Sequence, residues 1–451
     1  MGYIRGVNLG NWLVLEKWMD PAVFAGTEAE DEAWLSRLLD SEELKKRIKK
    51  HRDTYVTEED FKRIADLGLN LVRIPVPYYL FGDRHADGTS DGFSRHMGCV
   101  RWLDRAMDWA EKYGLQVLID LHTTPGNQNG FDNGGIIGVC KWHTQKEEVQ
   151  YVLRVLMGIC RRYGNREGLF GVEVVNEPIS LSAYLSAPTT GKAMDQSEAE
   201  GSMFVPMAFL RPFYRAAYRL MRKYLPEDKA IVFHDGFRLS RWQNFFRTNG
   251  MKNVWLDAHI YLWAMERVVH IHRPFVYRLY MAAEKLRLRL AARHVNILVG
   301  EWSLCNRWAA DLSLVAEEEN PGGAVLSGTS GDNGEAFPGP ERAKLYASAP
   351  RFSLAKALRK SRRTIEKILN GTEAGKLSEE RYRRVLEEQK RRFLEVAEMQ
   401  LDTWKEADGW IYWNWQLEKD GQLPPDEYWK ESWDFRKCLE HGWITEEQIH
   451  N

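Results

Sequence analysis

Short apolar runs recur along the chain and alternate with stretches whose apolar residues return every three or four positions. This alternation is typical of βα units built around a parallel sheet. The sequence predicts eight strands: Ile4–Asn8, Leu69–Pro75, Gln116–His122, Gly171–Glu177, Ile231–His234, Val254–His259, Ile297–Glu301 and Gly409–Trp413. Because eight parallel strands close a barrel, we predict an α/β fold of the TIM (β/α)8 barrel type.

Two of the helices between these strands have clear boundaries in the sequence. We predict helices over Thr57–Leu67 and Arg101–Tyr113, and Thr57-Glu-Glu-Asp60 has the residues of an N-terminal cap. A doubly wound open sheet is the alternative fold for alternating strands and helices. It would normally carry a glycine-rich phosphate loop after an early strand, and no Gly-x-Gly-x-x-Gly sequence occurs where one is needed. The barrel is therefore preferred.

Two segments are longer than a connection between a strand and a helix requires. Residues 178–211 form a loop rich in Ser, Ala, Gly and Pro, and residues 303–402 follow the seventh strand. We assign 1–302 and 403–451 to the barrel, and 303–402, with a charged helical region over Arg351–Glu398, to a helical insertion. An insertion after strand seven emerges on the catalytic face of such a barrel. We interpret it as a lid, a pocket wall or a contact in a homo-oligomer; a solvated helical excursion is the alternative.

The composition excludes several classes of partner. The 451 residues include 63 Lys plus Arg and 64 Asp plus Glu, so the net charge near zero favours neither nucleic acid nor an anionic membrane surface. No apolar run is long enough to span a bilayer, and the first residues contain no apolar signal segment. The five cysteines are widely spaced, without a Cys-x-x-Cys or zinc-like cluster. We therefore expect reduced thiols in a cytoplasmic protein.

Two glutamates stand at the ends of predicted strands. Glu177 ends the fourth strand, and Glu301 ends the seventh. Since a buried carboxylate is costly, a strand that ends on one usually delivers it to a cleft. Two carboxylates at one cleft indicate cleavage of a glycosidic bond by double displacement, in which one protonates the leaving oxygen and the other attacks the anomeric carbon. The alternative is that each glutamate makes a salt bridge at its strand end.

Other polar or aromatic side chains gather at the same places. The residues at or near the ends of predicted strands are Arg73, His122, Asn176, Glu177, His259, Glu301 and Trp413. In a TIM barrel the carboxyl ends of the strands form the catalytic face. Structural salt bridges would be scattered rather than concentrated at one end of six strands, so we interpret this set as an active site.

In this order, the residues resemble the invariant set of glycoside hydrolase family 5. That set has Arg after strand two, His after strand three, Asn-Glu after strand four, His-x-Tyr after strand six, Glu after strand seven and Trp on strand eight. The chain supplies Arg73, His122, Asn176-Glu177, His259-Ile-Tyr261, Glu301 and Trp413. The resemblance implies a small oligosaccharide as substrate, and it implies that no metal or other cofactor is needed.

The resemblance also implies a role for each residue. Glu177 is the acid/base, with a pKa raised toward neutrality, and Glu301 is the nucleophile. Arg73 and Tyr261 hold the charged form of Glu301, and Asn176 binds the sugar 2-hydroxyl. The other residues of the set form the floor of the −1 subsite, where the sugar to be released sits, or orient the catalytic groups: Trp413, His122 and His259.

A finer resemblance is to exo-acting enzymes of the exo-β-1,3-glucanase type within this family. Gly6-Val-Asn-Leu-Gly-Asn-Trp-Leu-Val-Leu-Glu16 is similar to their opening motif, and Leu121-His-Thr-Thr-Pro-Gly-Asn-Gln-Asn-Gly-Phe-Asp-Asn133 is similar to their loop after strand three. The resemblance implies that Glu16, Asp132 and Asn133 bind the non-reducing sugar. These groups would close one end of the cleft, so the enzyme would act on a chain terminus.

The chain departs from that group at three places. Asn11 stands where the exoglucanases usually have a second glycine, and residues 303–402 have no counterpart in them. Of the aromatic pair that clamps the next sugar, Phe131 is present, but Trp263-Ala264 stands where the second phenylalanine belongs. These departures, with the expected cytoplasmic location, favour a bacterial type of intracellular exo-β-mannosidase.

We therefore predict a retaining exo-β-glycosidase that releases terminal mannose from short β-1,4-mannosides such as mannosyl-N-acetylglucosamine. An exo-β-1,3-glucanase or β-glucosidase is the alternative, because the same catalytic residues serve both sugars. A transglycosylase uses the same covalent intermediate and differs only in the acceptor. A carbohydrate-binding barrel without catalysis is the remaining hypothesis, and the intact set of catalytic residues disfavours it.

Overall fold

A computed structural model describes residues 2–82, 98–311, 373–417 and 428–451 of the chain. Eight strands form a closed barrel in sequence order, and each strand runs parallel to its neighbours. The strands are β1 Ile4–Asn8, β2 Leu71–Val76, β3 Gln116–Leu121, β4 Leu169–Glu173, β5 Ala230–His234, β6 Val254–His259, β7 Asn296–Trp302 and β8 Gly409–Tyr412. The predicted (β/α)8 barrel is therefore confirmed.

Helices occupy the connections between the strands. Before β6 they are α1 Glu32–Leu38, α2 Ser41–Thr54, α3 Glu58–Asp66, α4 Val100–Tyr113, α5 Lys146–Tyr163, α6 Leu181–Ser186, α7 Gln196–Ala199, α8 Met207–Met221 and α9 Phe245–Thr248. After β6 they are α10 Leu262–Glu266, α11 Pro274–Ala292, α12 Arg307–Ala310, α13 Glu373–Trp404, α14 Tyr428–Glu431, α15 Phe435–Glu440 and α16 Glu446–His450. Short 3-10 turns cover Pro21–Phe24, Asp132–Gly134, Trp142–Thr144, Thr190–Lys192 and Leu239–Arg241.

The helix predictions between the early strands hold to within one residue. Helix α3 begins after Thr57, whose backbone N–H donates to Asp60 Oδ2 at 2.8 Å. This is the capping interaction that the sequence predicts. Helix α4 ends at Tyr113, and Gly114 follows with a φ of 72°, a left-handed conformation that glycine adopts at little cost.

Strand β4 ends earlier than the sequence predicts. The prediction extends it to Glu177, whereas the strand ends at Glu173. Beyond it, the N–H of Asn176 donates to Leu121 O at 3.0 Å, and Glu177 has a φ of 45°. A positive φ is uncommon for a residue with a side chain. The chain therefore turns sharply at Glu177, so that this carboxylate is delivered by a turn and not by the strand itself.

The barrel interior is built in two levels. The lower level is an apolar cluster of Ile4, Leu71, Leu118, Phe170, Ala230, Val232, Trp255, Leu298 and Ile411, all buried. Because side chains alternate along a strand, the residue two positions on points to the same side. Two positions beyond Leu71, Leu118 and Trp255 stand Arg73, Asp120 and Asp257, and all three are completely buried. The apolar floor thus supports a polar level just below the catalytic face.

The described residues divide into two compact units. One comprises Met1–His259, Leu286–Trp302 and Glu406–Glu418 and contains all eight strands. The other comprises Ile260–Lys285, Ser303–Lys405 and Lys419–Asn451. Within this second unit, Lys285 Nζ pairs with Asp402 Oδ2 at 2.6 Å, and the rings of Phe393 and Trp443 stack at 4.1 Å.

The predicted insertion, 303–402, is described only at its two ends. Residues 312–372, which include part of the helical region predicted over Arg351–Glu398, lie outside the described residues. Helix α13 accounts for the last part of that region, and Arg392 Nη1 donates to Trp308 O of α12 at 3.1 Å. The role of the insertion stays a prediction.

The structure describes all five cysteines, and its helices can be compared with those that cross membranes. All five cysteines are buried, and none forms a disulfide with another. This agrees with the expectation of reduced thiols. Among the described residues, no helix combines the length and the hydropathy that crossing a bilayer requires.

Candidate active site

Arg73 of β2 lies at the centre of the polar level. Its side chain is completely buried. Its Nε donates to Glu173 Oε2 at 2.8 Å. Its Nη1 donates to Asn8 Oδ1 at 2.9 Å and to Glu301 Oε1 at 2.8 Å. Its Nη2 donates to Asn176 Oδ1 at 2.9 Å and lies 3.1 Å from Asp120 Oδ2. A guanidinium has five N–H donors in a rigid plane, so one arginine joins five strands or their extensions.

Two of the carboxyl groups around Arg73 have raised pKa values, which favour the neutral form. Burial raises the pKa of Asp120 to about 7 and raises that of Glu173 well above its usual range, although the charge of Arg73 opposes both shifts. A neutral carboxyl group leaves the guanidinium charge uncompensated. The positive charge of Arg73 is therefore available to Glu301, which is the nucleophile in the prediction.

His259, the last residue of β6, lies between the two candidate catalytic glutamates. Its Nδ1 is 2.8 Å from Glu177 Oε1 and 3.3 Å from Glu301 Oε2. Burial by itself would lower the pKa of His259, but the charges of Glu301 and Asp257 outweigh burial and raise it well above its usual range. His259 is thus buried between two carboxylates, whose charge favours its protonated form.

The distances from His259 also limit the separation of the two glutamates. The oxygens Glu177 Oε1 and Glu301 Oε2 are no farther apart than about 6.1 Å, the sum of the two distances to Nδ1. Inverting glycosidases need about 6.5–9.5 Å between their carboxyl groups to admit a water molecule, and retaining enzymes have about 5–5.5 Å. The upper limit on this oxygen–oxygen distance is compatible with the retaining arrangement.

Glu177 is held by two hydrogen bonds. Its Oε1 contacts His259, and its Oε2 accepts from Asn133 Nδ2 at 2.9 Å. Burial alone would raise the pKa of Glu177, but the hydrogen bond and charge of His259, with the bond from Asn133, lower it. This direction is opposite to the raised pKa that the acid/base role implies. The reason is that His259 holds a proton beside Glu177 in the free enzyme.

Trp413 and His122 form one wall of the site. Trp413 follows β8, and its ring lies parallel to that of His122, with an interplanar angle of 7° and 5.6 Å between centroids. The Trp413–Asn414 peptide bond is cis. His122 Nδ1 contacts Asp120 Oδ2 at 2.5 Å, and burial lowers the pKa of His122 well below its usual range. His122 is therefore neutral, with its ring plane fixed by Asp120 and Trp413.

The loop after β3 carries three of the predicted sugar-binding residues. Asp132 is buried, while Phe131 and Asn133 are half-buried. Asn133 reaches Glu177, and its Oδ1 accepts from Asn129 Nδ2 at 3.0 Å. The loop therefore connects the predicted binding residues directly to the candidate acid/base.

Glu16 lies at the edge of the same charged group. It is buried, its Oε2 accepts from Trp18 Nε1 at 2.8 Å, and its backbone N–H donates to Asn11 Oδ1 at 2.8 Å. Burial raises the pKa of Glu16 well above its usual range, and the charge of Asp132 adds to the shift. Asn11, the departure from the glucanase motif, has a φ of 59°. Asparagine tolerates this left-handed conformation better than other non-glycine residues, so it can replace the expected glycine.

Tyr261 belongs to the second compact unit. It is buried, and its ring lies 5.3 Å from that of Trp433 and 5.7 Å from that of Trp263. Its predicted hydrogen bond to Glu301 stays a prediction.

Among the described residues, two groups of side chains bring potential metal ligands within 4.8 Å of one another: Glu177, His234 and His259, and Glu173, Asp257 and His259. His259 belongs to both groups. A protonated imidazole has no lone pair for a metal ion. In addition, His234 Nδ1 accepts the N–H of Gly236 at 2.9 Å. The donors present therefore fit a proton network better than a metal, and double displacement requires no metal.

The sequence analysis missed several buried polar residues that support the site: Asn8, Asp120, Asn127, Glu173, His234 and Asp257. Most of them are completely buried in or beside the barrel strands. A signal was present for two of them, because Asp120 and Asp257 precede His122 and His259 by two residues. Residues two apart on a strand share a face. An acid at that spacing therefore indicates a support beneath a site residue.

Comparisons with known proteins identify the family of the chain. A family model described as Cellulase (glycosyl hydrolase family 5) matches residues 46–320. A protein of Emericella nidulans named as a probable glucan 1,3-beta-glucosidase A is 31% identical over 97% of this chain and 89% of its own length. A glucan 1,3-beta-glucosidase of Pichia angusta is 31% identical over 71% of this chain and 67% of its own length.

Solved structures show the same fold at lower identity. The crystal structure of AoRut matches with a TM-score of 0.62 and 19% identity, over 98% of this chain and 97% of that one. The rutinosidase from Aspergillus niger matches with a TM-score of 0.61 and 18% identity, over 98% of each chain. The sequence relatives and the family model together decide the family. The chain is a glycoside hydrolase and belongs to glycoside hydrolase family 5.

Proposed function

We propose that this protein is a retaining exo-β-glucosidase that removes terminal glucose from β-1,3-linked glucans. The observation that carries the proposal is the position of His259, which contacts both Glu177 and Glu301 and keeps the two contacted oxygens within about 6.1 Å of each other, as a retaining pair requires. The sugar and the linkage are taken from the relatives, which are named for glucan 1,3-beta-glucosidase activity. These names favour the glucan alternative of the sequence analysis over the mannoside.

The proposed reaction has two steps. Glu301, charged and paired with Arg73 at 2.8 Å, attacks the anomeric carbon while Glu177 protonates the leaving oxygen. A covalent glucosyl ester of Glu301 results. Glu177 then removes a proton from water, which attacks the same carbon and releases Glu301, so the sugar keeps its β configuration.

Exo action is proposed from the residues that surround the catalytic pair. Glu16 and Asp132 are buried, and Asn133 is tied to Glu177. Carboxyl and amide groups beside the catalytic pair are suited to bind the hydroxyls of a terminal sugar and so to close this end of the cleft. A chain end therefore fits the site better than the middle of a chain.

The first experiment compares paired aryl glycosides at neutral pH without added metal. We expect hydrolysis of the β-glucoside at least about tenfold faster than that of the β-mannoside, since about 1.4 kcal/mol of differential transition-state binding suffices for this ratio. NMR of the first product formed from the β-1,3-linked glucose disaccharide should show β-glucose. Preference for the mannoside would return the protein to the mannosidase hypothesis, and an α product would exclude double displacement.

Glu301→Gln tests the nucleophile. Glutamine keeps the size of the side chain and removes the negative charge, so turnover should fall by on the order of 10³-fold or more. The fold should persist, because Arg73 keeps its contacts with Glu173 and Asp120. Near-normal turnover by the folded variant would exclude Glu301 as the nucleophile.

A further inference from the structure

His259 faces carboxylates with both of its ring nitrogens. Nδ1 is 2.8 Å from Glu177 Oε1 and 3.3 Å from Glu301 Oε2, and Nε2 is 3.4 Å from Asp257 Oδ2. A neutral imidazole has one N–H and one lone pair, and a lone pair directed at a carboxylate is repelled. Only the doubly protonated ring suits both sides at once.

Asp257 is placed for this contact by strand β7. Its Oδ1 accepts the N–H of Gly300 at 2.7 Å, and Gly300 directly precedes Glu301. A β-carbon on Gly300 would lie 2.0 Å from Asp257 Oδ2, so this position has no space for a side chain. The carboxylate therefore occupies the volume that a side chain at 300 would need, directly beneath the nucleophile.

The second oxygen of Asp257 is directed at His259. In the part of the chain that the structure describes, neither Asp257 Oδ2 nor His259 Nε2 has a hydrogen-bond partner, and both are buried. Arg73 Nε lies 3.9 Å from Asp257 Oδ2, farther than His259 Nε2. A buried polar atom without a partner is costly, so the negative Asp257 Oδ2 and a protonated His259 Nε2 stabilise each other.

We propose that Asp257 is a positioning residue that keeps His259 doubly protonated, and that His259 stores the proton that Glu177 gives to the leaving oxygen. The acid of the reaction is then the Glu177–His259 pair rather than Glu177 alone. This inference rests on the proposed function of the same site, and it adds a proton source that the two-glutamate scheme leaves unassigned.

In the proposed reaction, the proton that leaves His259 in the first step returns to it in the second. In the first step the proton moves from His259 Nδ1 to Glu177 Oε1 and from Glu177 to the glycosidic oxygen. That oxygen keeps the electron pair of its bond to the anomeric carbon, while Glu301 forms a new bond to that carbon. In the second step water gives its proton to Glu177 and thence to His259. The remaining hydroxide attacks the carbon and displaces the Glu301 carboxylate.

Several charged or titratable groups surround His259. They are Glu177 after β4, Glu301 of β7, Asp257 of β6, Arg73 of β2, Asp120 and His122 at β3, Glu173 of β4, and His234 and Asp235 at β5. His234 meets the His259 ring edge to face at 4.3 Å, and burial keeps its pKa well below the usual range, so it is neutral. The charges of Glu301 and Asp257 thus dominate at His259 and raise its pKa, in agreement with the geometry.

Asp257→Asn tests the proposal with little change in shape. Asparagine Oδ1 still accepts the N–H of Gly300, but the negative charge next to His259 is lost. The pKa of His259 then falls, so the pair loses its proton at a lower pH. We expect the basic limb of the kcat/KM profile on the aryl β-glucoside to move down by about one pH unit or more. An unmoved basic limb would overturn the proposal.

A matched control separates this effect from the loss of any buried aspartate. Asp60 is also buried and caps α3, and its Oδ1 accepts a hydrogen bond from Trp415 Nε1 at 3.1 Å. Asp60→Asn should lower the thermal midpoint and leave the basic limb in place. A shift of equal size in both variants would also overturn the assignment to Asp257.

NMR of the wild-type protein tests the proton itself without any substrate. In protein labelled with ¹⁵N-histidine, both ring nitrogens of His259, assigned by comparison with His259→Asn, should be protonated at pH 7. A neutral ring would overturn the proposal even if Asp257→Asn failed to fold. Because this readout needs no turnover, a protonated His259 in an enzyme that prefers a mannoside would contradict only the proposed sugar.

Discussion

Gly10 shows how one small residue positions an aromatic wall. A β-carbon at this position would lie 2.7 Å from Cη2 and 2.8 Å from Cζ2 of Trp413. The indole is restrained on the site side, because its ring lies parallel to that of His122. The backbone at Gly10 is held as well, since its N–H donates to Asn414 Oδ1 at 2.8 Å. Glycine is therefore required by the close approach of a ring.

Gly10→Ala should displace Trp413 and weaken catalysis. A shift of about 1 Å in a positioning group costs about 100-fold in rate, and overpacking a rigid contact costs about 1–3 kcal/mol of stability. We therefore expect kcat/KM on the preferred aryl glycoside to fall by about 10- to 100-fold, which is on the order of that loss in rate. Gly191→Ala is the matched control, because a β-carbon there meets nothing within 4 Å. Equal kcat/KM in the two variants would contradict the role of Gly10.

The sequence predicted the site residues at the ends of strands. It missed the buried acids that stand two residues earlier on the same face of the strand. His122 and His259 are visible because each stands at the end of an apolar run, whereas Arg73 interrupts its run two residues before the predicted end of the strand. Asp120 and Asp257 stand inside such runs, where a single acid does not by itself indicate a support for a site residue. Their pairing with His122 and His259 depends on distances between side chains, and a pattern of apolar positions does not specify those distances.

The loop after β3 is an element held together by one side chain. Asn127, with a φ of 57°, accepts the N–H groups of Asn129 and Gly130 with its Oδ1, at 2.8 and 3.1 Å. Its Nδ2 donates to Phe131 O and Ile136 O at 3.0 and 2.8 Å. These four bonds fix the loop that carries Asp132 and Asn133, so the loop is a rigid part of the site.

Asn127→Gly should loosen this loop while keeping the backbone conformation accessible. The loss of four hydrogen bonds, each contributing about 1 kcal/mol, should destabilise the protein by roughly 2–4 kcal/mol. Because Asp132 and Asn133 would lose their fixed positions, KM for the aryl glycoside should rise about tenfold or more, equivalent to about 1.4 kcal/mol of binding. Asn127→Ala adds left-handed strain and should be less stable still.

The interpretation of that experiment depends on comparing stability with activity. A lower thermal midpoint together with an unchanged KM would mean that the loop positions nothing in the site. A raised KM in both variants would support the role of the loop as a scaffold for sugar binding.

Element boundaries were predicted well where local signals exist and poorly where the tertiary structure decides. β1 and β6 have their predicted bounds, and α3 begins at its predicted cap. β4 ends at Glu173 because Asn176 and Glu177 turn toward β3 and the site. The apolar run of Val174 and Val175 continues past this end, and no local pattern in the sequence marks the turn.

The whole molecule contains many carboxyl groups that the barrel has taken out of water. Burial raises the pKa of Asp31 to about 6, of Glu32 to about 7 and of Asp235 to about 6. The folded protein therefore binds more protons than the unfolded chain between the unfolded and folded pKa values. By linkage, these groups lower the stability of the fold as the pH rises through that window.

Glu32→Gln isolates one such group. Glu32 is completely buried at the start of α1, and its pKa rises from 4.5 in the unfolded chain to about 7. Its ionisation above that value costs stability, on the order of 3 kcal/mol. We expect the variant and the wild type to unfold at similar urea concentrations at pH 4.5, and the variant to be the more stable one at pH 8.

The comparison with an exposed residue completes this test. Glu42 lies on α2 with 83% of its side chain exposed, so Glu42→Gln should not change the pH dependence of unfolding. If Glu32→Gln kept the slope of the wild type between pH 4.5 and 8, Glu32 would be ionised at little cost in the folded protein.

The bonds of Arg73 have a consequence for the construction of chimeric enzymes. The guanidinium is bonded to side chains from β1, β3 and the region of β4, and also to Glu301 at the end of β7. A hybrid that joined strands one to four of this chain to the second half of an unrelated barrel would separate Arg73 from its partner on β7. The guanidinium would keep Asp120 and Glu173 but would lose the carboxylate that it holds for catalysis. Such hybrids should be active only when the incoming half supplies an acid at the end of its third strand.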